Sequence, residues 1–213
     1  VRKGPLMAAF DIFEATICGK GMHAAMPHQG IDPVVAAAEV VGALQTVASR
    51  VMNPLEPAVV SVTQIHGGDT WNVVPNEVVL RGTTRCFRPE GQAQIEATMR
   101  RLIDGVAAAH GCSAPFRYER RYPPTINTEA ETELAARAIA DVVGTENLHR
   151  DVQPTMGAED FSFMLQARPG SFVFVGNGEH AAKLHNPSYD FNDQVLPIGA
   201  SYWARLVEMT LAK

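Results

Sequence analysis

"FDIFEATIC", Phe10–Cys18, alternates apolar and polar side chains with the period of two that is typical of a half-buried β-strand. Three apolar residues fall on one side of this strand: Phe13, Ala15 and Ile17. Glu14 and Thr16 fall on the other side. A strand with one apolar face has to be covered by another layer, so the neighbouring residues decide the fold.

The residues that follow this strand predict a helix. Asp32 and Pro33 supply an N-cap and a proline in the first helical turn. Apolar residues then continue at helical spacing: Ala37, Val41, Leu44, Val47 and Val51. The segment "NPLEP", Asn53–Pro57, ends this helix because proline cannot continue it.

Two further strands, a helix and a last strand complete the first region. The sequence predicts strands at Ala58–Ile65, Val78–Phe87 and Phe116–Tyr122. The second helix precedes the last strand, with Gly111 as its C-terminal cap, and carries four apolar residues at helical spacing: Ile95, Met99, Leu102 and Val106. The order strand–helix–strand–strand–helix–strand predicts a ferredoxin-like fold, in which both helices cover one face of a four-stranded antiparallel sheet.

The rest of the chain indicates a second α/β region. "YPPTINTEAE", Tyr122–Glu131, is predicted to be a connector. Helices are predicted at Glu131–Val143, within "MGAEDFSFMLQ" and at Pro197–Leu211. "SFVFVGN", Ser171–Asn177, is apolar on both sides, which is typical of a buried strand in a parallel or mixed sheet. One such strand cannot make a sheet, so we expect half of an α/β domain.

Composition narrows the possible partners and locations. Hydrophobic residues make up 46% of the 213 residues, charged residues 19%, and the net charge is −5. Since no basic run exists, nucleic acid and anionic membranes are not expected partners. We expect no membrane span, because no apolar stretch approaches roughly 18 residues. Cys18, Cys86 and Cys112 are odd in number and widely spaced, which favours reduced thiols and a cytoplasmic location.

The predicted strand Val78–Phe87 presents two arginines on its polar face. Alternation turns one set of residues towards the helices: Val78, Leu80 and Cys86. The other set faces the open side of the sheet: Arg81, Thr83 and Arg85. Two arginines on an open face can bind a carboxylate through paired hydrogen bonds. A solvated polar face is the other interpretation, and the strand alone leaves both open.

Among the seven histidines, His185 has the surroundings of a candidate metal ligand. It lies in "KLHNPSYDFND", part of a histidine-containing loop between the predicted buried strand and the last helix. Such loops carry active-site residues in α/β sheets, and Asp190 and Asp193 could orient the imidazole. A ligand role and a structural role both stay open for His185. Two other histidines are interpreted as structural: His110 and His149.

Four motifs together resemble the metal-dependent aminoacylase and carboxypeptidase family. They are "GKGMHAAMPHQGIDPV", "TWNVVPNEVVLRGTTRCF", "MGAEDFSFML" and "LHNPSYDFND", in this order along nearly the whole chain. The closest branch is that of the amidohydrolases, which includes hippurate hydrolase, N-acyl-amino-acid hydrolases and indole-acetyl-amino-acid hydrolases. The resemblance implies hydrolysis of the amide bond of small N-acyl amino acids, such as hippurate-like substrates, with two divalent metal ions, zinc or manganese.

The resemblance also implies a domain organisation. Residues 1–11 would be a remnant of the catalytic domain with its hinge, and residues 12–122 the ferredoxin-like lid. Residues 123–213 would be the C-terminal part of an α/β metallopeptidase-like catalytic domain. Members of this family dimerise through the lid, so the resemblance implies a homodimer.

Individual residues acquire roles by the same resemblance. His23 corresponds to a lid histidine that reaches a neighbouring subunit's active site and helps to stabilise the oxyanion, and Asn72 to an asparagine that assists it. Arg85 corresponds to the arginine that holds the free carboxylate of the substrate. Gly157 corresponds to a substrate-binding position, and His185 to the last metal ligand.

Other parts of the family pattern are absent from this sequence or carry no role. His28 is a motif position without an assigned role, and Glu159 and Asp160 match acids that line the cleft without binding metal. By themselves these two acids are explained by the charge of a helix N-terminus. The family's Cys-x-His pair, its Glu-Glu pair with the catalytic base and one further histidine ligand are not found.

We therefore expect a C-terminal segment of a longer enzyme, inactive by itself. The sequence opens on Val1 and not on a methionine, and "VRKGPLMAAF" runs almost directly into a strand, which agrees with this expectation. The alternative is a ferredoxin-like module that dimerises or binds ligands without catalysis. Stoichiometric metal binding with amidase activity would distinguish the enzyme from the module.

Overall fold

A computed structural model describes residues 1–178 and 181–211 of the chain. It divides into two compact units. The first, here the sheet unit, comprises Met7–Thr125 and Thr155–Ser162. The second, here the helical unit, comprises Val1–Leu6, Ile126–Pro154 and residues 163–211. His180, in the predicted histidine-containing loop, lies outside the described residues.

Strands and helices alternate along the chain. In chain order the strands are β1 (Gly4–Met7), β2 (Phe10–Cys18), β3 (Met22–His23), β4 (Ala58–His66), β5 (Val73–Val74), β6 (Glu77–Cys86), β7 (Phe116–Tyr122) and β8 (Thr125–Asn127). The α-helices are α1 (Pro33–Thr46), α2 (Pro89–Ala109), α3 (Glu129–Val143), α4 (Phe161–Ala167) and α5 (Leu196–Leu211). A π-turn, Val47–Val51, extends α1, and Pro27–Gln29 forms a 3₁₀ turn.

The sheet unit is built on a four-stranded sheet with the order β4-β6-β2-β7. All three pairings are antiparallel, with Ala15 opposite Leu80 and Val60 opposite Thr84. The predicted pairing of Ala58–Ile65 with Val78–Phe87 is thereby confirmed. Gly82 allows this close packing, because a Cβ there would lie 2.6 Å from the ring of Phe13.

The core of the sheet unit lies between the sheet and the helices α1 and α2. Phe13, Ala15 and Ile17 of β2 are buried, as the alternation predicts. They belong to one cluster with the inner residues of both helices, which include Ala37, Val40 and Leu44 of α1 and Ile95, Met99 and Ile103 of α2. The carboxylate of Asp32 accepts a hydrogen bond from the Val34 amide at 2.8 Å, so the predicted N-cap is confirmed.

The expectation that no apolar stretch reaches membrane-spanning length is wrong. Pro33–Val51 is 19 residues long with a mean hydropathy of 1.4, which by length and composition could cross a membrane. One side of this helix belongs to the core of the sheet unit: Ala36, Ala37, Val40, Leu44 and Val47. Burial against the sheet accounts for the apolar character of that side.

The helical unit has a smaller core. Helices α3 and α5 pack through Ala135, Ala138 and Tyr202. The two short strands β1 and β8 form a two-stranded sheet. The predicted connector Tyr122–Glu131 therefore contains a strand that was not predicted. The strand is only three residues long and directly follows two prolines, so the sequence shows no strand pattern there.

The prediction of a buried strand at Ser171–Asn177 is wrong. No strand is assigned within this segment, and Phe174 and Val175 are 48% and 49% exposed. The side chain of Asn127 holds one end: it accepts a hydrogen bond from the Phe172 amide at 2.7 Å and donates one to the Phe172 carbonyl at 2.9 Å. A strand needs a neighbouring strand for its backbone groups, and none is paired with this segment in the part of the chain that the structure describes.

Candidate functional site

His23 and Asn72 lie next to each other on the surface of the sheet unit. Strand β3 pairs antiparallel with β5, which places His23 opposite Val73. The amide of Ala24 donates to the carbonyl of Asn72 at 2.9 Å. This pairing of two-residue strands, which the sequence did not reveal, brings together two predicted site residues that are far apart in the chain. We call residues 21–25 with residues 71–76 the His23 corner.

Close backbone contacts hold the His23 corner in shape. The amide of Gly21 donates to Oδ1 of Asn76 at 2.9 Å. A Cβ at Gly21 would lie 2.7 Å from the carbonyl oxygen of Val74, and one at Gly30 would lie 2.3 Å from that of Lys20. The glycines of "GKGMHAAMPHQG" are thus required by the approach of neighbouring strands.

The hydrogen bonding of His23 determines which ring nitrogen can donate. Its Nδ1 accepts a hydrogen bond from the Ala25 amide at 3.1 Å, so the neutral ring carries its proton on Nε2. His23 and Asn72 are both exposed, and the Asn72 side-chain amide has no hydrogen-bond partner among the described residues. The corner therefore exposes both an imidazole N–H and a side-chain amide N–H. Trp71, which precedes Asn72, is fully exposed and was not singled out by sequence.

The two arginines on the open face of the sheet have different surroundings. The alternation of β6 is confirmed: Leu80, Gly82 and Thr84 are buried, and Arg81 is exposed. Arg81 forms an ion pair with Glu14 at 2.6 Å, which occupies its guanidinium. Arg85 is half-buried and forms no ion pair with a described residue.

Arg85 is held by an aromatic ring and a backbone carbonyl. Its guanidinium carbon lies 4.2 Å from the centroid of the Phe10 ring. Its Nη1 donates to the carbonyl of Met156 at 3.1 Å. Burial lowers the pKa of Arg85, and the nearby charge of Asp11 opposes that shift. Neither contact was anticipated, because Phe10 is typical of the start of a strand and Met156 acts through its backbone.

Gly157 lies in the segment that carries this carbonyl. The amide of Ala8 donates to the carbonyls of both Thr155 and Gly157, at 3.1 and 2.9 Å. A Cβ at Gly157 would lie 3.3 Å from the Met7 side chain, a tight contact. The predicted substrate-binding glycine is thus docked beside the acceptor of the Arg85 hydrogen bond. Glu159 and Asp160 precede the seven-residue helix α4, and the carbonyl of Glu159 accepts a hydrogen bond from Ser162.

A buried polar network lies in the core near Arg85. Asp11 is 1% exposed and accepts hydrogen bonds from Gln92 at 2.9 Å and from the Tyr118 hydroxyl at 2.7 Å. The Tyr118 hydroxyl is also 2.6 Å from that of Thr84. Burial raises the pKa of Asp11, partly offset by these hydrogen bonds. This network has no signature in the sequence, because Asp11 stands in an alternation in which an apolar core residue is expected.

His185 occupies an exposed loop of the helical unit. Its φ of 63° is in the left-handed region, which is uncommon for residues other than glycine. Asn177 holds the loop, since it donates to the Asp190 carbonyl at 2.9 Å and accepts from the Asn192 amide at 2.8 Å. Within residues 1–178 and 181–211, neither Asp190 nor Asp193 is hydrogen-bonded to His185, and no three His, Cys, Asp or Glu residues group as a metal site.

The mixed α/β fold of this chain is shared with solved structures of the M20 family. The chain is similar to the crystal structure of the Bacillus subtilis YXEP protein, described as a dinuclear metal binding peptidase from the M20 family. The two share 30% identity and a TM-score of 0.81, over 99% of this chain and 52% of that one. The chain is 36% identical to N-acetylcysteine deacetylase of Bacillus subtilis over 99% of its length, and 39% identical to IAA-amino acid hydrolase ILR1-like 4 of Arabidopsis thaliana over 96%.

The chain belongs to Peptidase family M20/M25/M40, whose profile matches residues 11–209. The resemblance to the aminoacylase and carboxypeptidase family is thereby confirmed. The match covers 54% of the deacetylase and 48% of the plant hydrolase. The chain thus spans about half the length of the curated relatives it matches.

Proposed function

We propose that this chain is part of a hydrolase that cleaves the amide bond of N-acyl amino acids, including hippurate-like substrates. The names of two relatives support this substrate class, since N-acetylcysteine and indole-acetyl amino acids are both N-acyl amino acids. The reaction would place negative charge on the carbonyl oxygen of the scissile amide and leave the substrate carboxylate unchanged. A site for this chemistry needs hydrogen-bond donors for the negatively charged carbonyl oxygen and a cation for the carboxylate.

Two proposed domains, a lid and a catalytic domain, would divide this work. We propose that residues 12–122 form a ferredoxin-like lid, supported by the strand order β4-β6-β2-β7 and by the helices α1 and α2 in one core. Residues 1–11 and 123–213 would belong to the catalytic domain. This assignment gives His23, Asn72 and Arg85 to the lid and His185 to the catalytic domain.

The observation that carries the proposal is the hydrogen bonding of His23 beside Asn72. With Nδ1 accepting from Ala25, the Nε2–H of the neutral ring is left as a donor of the kind that an oxyanion requires. The side-chain amide of Asn72 can supply a second donor. Both lie on an exposed corner, so their partner site can come from a neighbouring subunit.

Arg85 and Gly157 would bind the substrate. The guanidinium of Arg85 has donors left after its hydrogen bond to Met156, and a carboxylate accepts two parallel N–H bonds from such a fork. Gly157, docked on Ala8, would let the substrate approach the backbone closely.

Two divalent metal ions, zinc or manganese, are proposed for the complete enzyme. The similarity to the YXEP protein, a dinuclear metal binding peptidase, supports this. The described residues do not by themselves form such a centre, because no three His, Cys, Asp or Glu residues in this part of the chain group as a metal site. We therefore propose His185 as one ligand, and the remaining ligands and the general base as parts of polypeptide outside these 213 residues.

A homodimer through the lid and a cytoplasmic location complete the proposal. Strand β4 is an edge of the sheet and carries the exposed Ile65, and α1 exposes Val34 and Val35, so this side could meet a second copy. The three cysteines are free, which suits a reducing compartment.

The decisive experiment measures hydrolysis of N-acetylcysteine, hippurate and an indole-acetyl amino acid by the protein as its gene encodes it, with zinc or manganese. His23→Ala should lower kcat by roughly 10²–10³, as expected for a lost oxyanion donor, without a change in bound metal. His28→Ala is the matched control, because His28 is exposed in the same motif and has no assigned role. Equal kcat values for the two variants would remove His23 from the mechanism.

An assay of the 213-residue chain alone distinguishes the enzyme hypothesis from the binding-module hypothesis. We expect no measurable hydrolysis by it, even with added metal, and only weakly held metal that His185→Ala abolishes. The sheet unit has a core of its own, so a non-catalytic ferredoxin-like dimerisation or ligand-binding module is the alternative. Hydrolysis by neither form of the protein would favour that module, whereas activity of the pure short chain would demand a catalytic centre within it.

A further inference from the structure

The ring of Phe10 lies against the candidate carboxylate-binding arginine, Arg85. We infer that Phe10 is a positioning residue, which holds the guanidinium plane of Arg85 in the orientation that binds the substrate carboxylate. This inference rests on the proposed role of Arg85. Phe10 itself would not touch the substrate, because it lies against one face of the guanidinium.

Three planar groups follow one another on the open face of the sheet. The guanidinium of Arg85 lies over the ring of Phe10, 4.2 Å from its centroid. The ring of Phe10 stacks on that of Tyr122, with centroids 6.1 Å apart and planes inclined by 29°. Phe10 is thus supported from behind by the adjacent strand β7, which limits the positions that its ring can take.

The carbonyl of Met156 controls the remaining rotation of the guanidinium. The contact with the ring still leaves the guanidinium free to rotate, and the hydrogen bond from Nη1 to Met156 at 3.1 Å opposes this rotation. A guanidinium has five N–H donors in a rigid fork. No other acceptor among the described residues is bonded to them. The free donors can therefore meet both oxygens of a carboxylate.

Two other arginines show that this arrangement is specific. Arg81, on the same strand and face, is exposed and ion-paired with Glu14. A substrate carboxylate would therefore have to compete with the carboxylate of Glu14 for this arginine. Arg100 also lies over a ring, that of Phe116, but at 5.0 Å. Among these three, only Arg85 combines an aromatic support with a backbone acceptor and an unpaired charge.

The test compares Phe10→Leu with Phe10→Trp in the protein as its gene encodes it. Leucine keeps the apolar bulk but removes the aromatic face, and tryptophan keeps that face. Loss of a cation–π contact should raise KM for a substrate with a free carboxylate by about 2- to 30-fold. The value of kcat and the KM of the carboxamide-blocked substrate should stay unchanged, and Phe10→Trp should restore KM. A loss of kcat with both substrates would mean a structural role and overturn the inference.

A double variant separates this inference from the proposed function. Arg85→Lys should itself raise KM for the carboxylate substrate, since the planar fork is lost. In the Arg85→Lys background, Phe10→Leu should raise this KM little further. Phe116→Leu, the control at Arg100, should leave KM unchanged both in the unmodified protein and in the Arg85→Lys variant. An Arg85→Lys variant with normal KM would refute the role of Arg85 in the proposed function. An additive effect of Phe10→Leu would refute only the positioning role.

A spectroscopic measurement tests the stack without any activity. The face of an aromatic ring shields nuclei above it, so the Arg85 side-chain NMR signals should be displaced upfield and should return on Phe10→Leu. Arg81→Lys identifies the signals of the other arginine on this face. Arg85 signals that do not respond to Phe10→Leu would show that the stack is not formed in solution, and the inference would fail.

Discussion

The sheet unit and the helical unit contain similar apolar sequences but bury them to different extents. In the sheet unit, strands and both helices contribute to one large buried cluster. In the helical unit, the buried cluster is limited to Ala135, Ala138 and Tyr202 among the described residues, and large side chains such as Leu184 and Trp203 are 71% and 62% exposed. Apolar pattern therefore predicts burial only where the covering layer lies in the same unit.

Strand β6 and the segment Ser171–Asn177 illustrate the difference. Strand β6 has a neighbour on each side, β4 and β2, and each of its residues is paired with at least one of them. The segment Ser171–Asn177 has comparable strand propensity but is held at one end by the side chain of Asn127. The number of neighbouring strands, not composition, separates the two.

Hydrogen exchange gives the largest expected contrast between them. The amides of β6 should exchange only through global opening, and those of Phe174 and Val175 through local fluctuation, with rates that differ by on the order of 10³ or more. Mass spectrometry of peptides after timed exchange measures this. Helix α3, in the same unit as the segment, is the control and should be protected. Similar protection of β6 and of Phe174 would contradict the comparison.

Removal of a buried leucine should have the next largest effect. Leu80 is fully buried, and Leu80→Ala should lower the free energy of unfolding by about 2–5 kcal/mol because a cavity remains. Leu184→Ala makes the same chemical change in the helical unit at a residue that is 71% exposed, and should stay within about 0.5 kcal/mol. Urea denaturation of both variants decides between these values. A large effect at Leu184 would mean that this surface is covered in solution.

Substitution of a buried polar residue should change the pH dependence of stability in the sheet unit but not in the helical unit. Asp11→Ala leaves the Gln92 amide and the Tyr118 hydroxyl without their acceptor, at about 1–3 kcal/mol for an unsatisfied group. Because burial raises the folded-state pKa of Asp11, folding favours its protonated form. Stability should therefore fall as pH rises from the ordinary aspartate pKa through the raised one, and Asp11→Asn should remove that fall.

Asn127 is the control for this prediction in the helical unit. It is 3% exposed and hydrogen-bonded, but it does not titrate. Asn127→Ala should thus lower the free energy of unfolding by an amount that does not change with pH. Denaturation of each variant at several pH values from about 3 to 7 spans the aspartate range. An unchanged pH profile in Asp11→Asn would show that this carboxylate is not the titrating group.

Much of the sheet unit could be predicted from local pattern. Strand β2 and strand β7 lie at the predicted residues, and α1 starts where Asp32 and Pro33 indicate. These features depend on residues close together in the chain. The short strands β3 and β5 were missed because two residues carry no periodicity. Their pairing is nevertheless what places His23 beside Asn72.

The candidate site, too, could be predicted from the sequence only in part. Motifs identified Arg85, and alternation placed it on the open face, as the structure confirms. Neither could indicate that Phe10 supports its guanidinium or that the Met156 carbonyl accepts its hydrogen bond. A backbone acceptor has no sequence signature, and an aromatic residue at the start of a strand is expected for packing alone.

The sequence by itself determined the family, the element order of the sheet unit and the identity of the candidate residues, because these depend on side-chain type and spacing. Only the tertiary structure decided that Arg81 is ion-paired while Arg85 is held by Phe10 and Met156, and that Ser171–Asn177 is not a strand. The physical reason is that hydrogen bonds, ion pairs and burial are properties of pairs of groups. Their partners lie far away in the chain, and the fold alone brings them within reach.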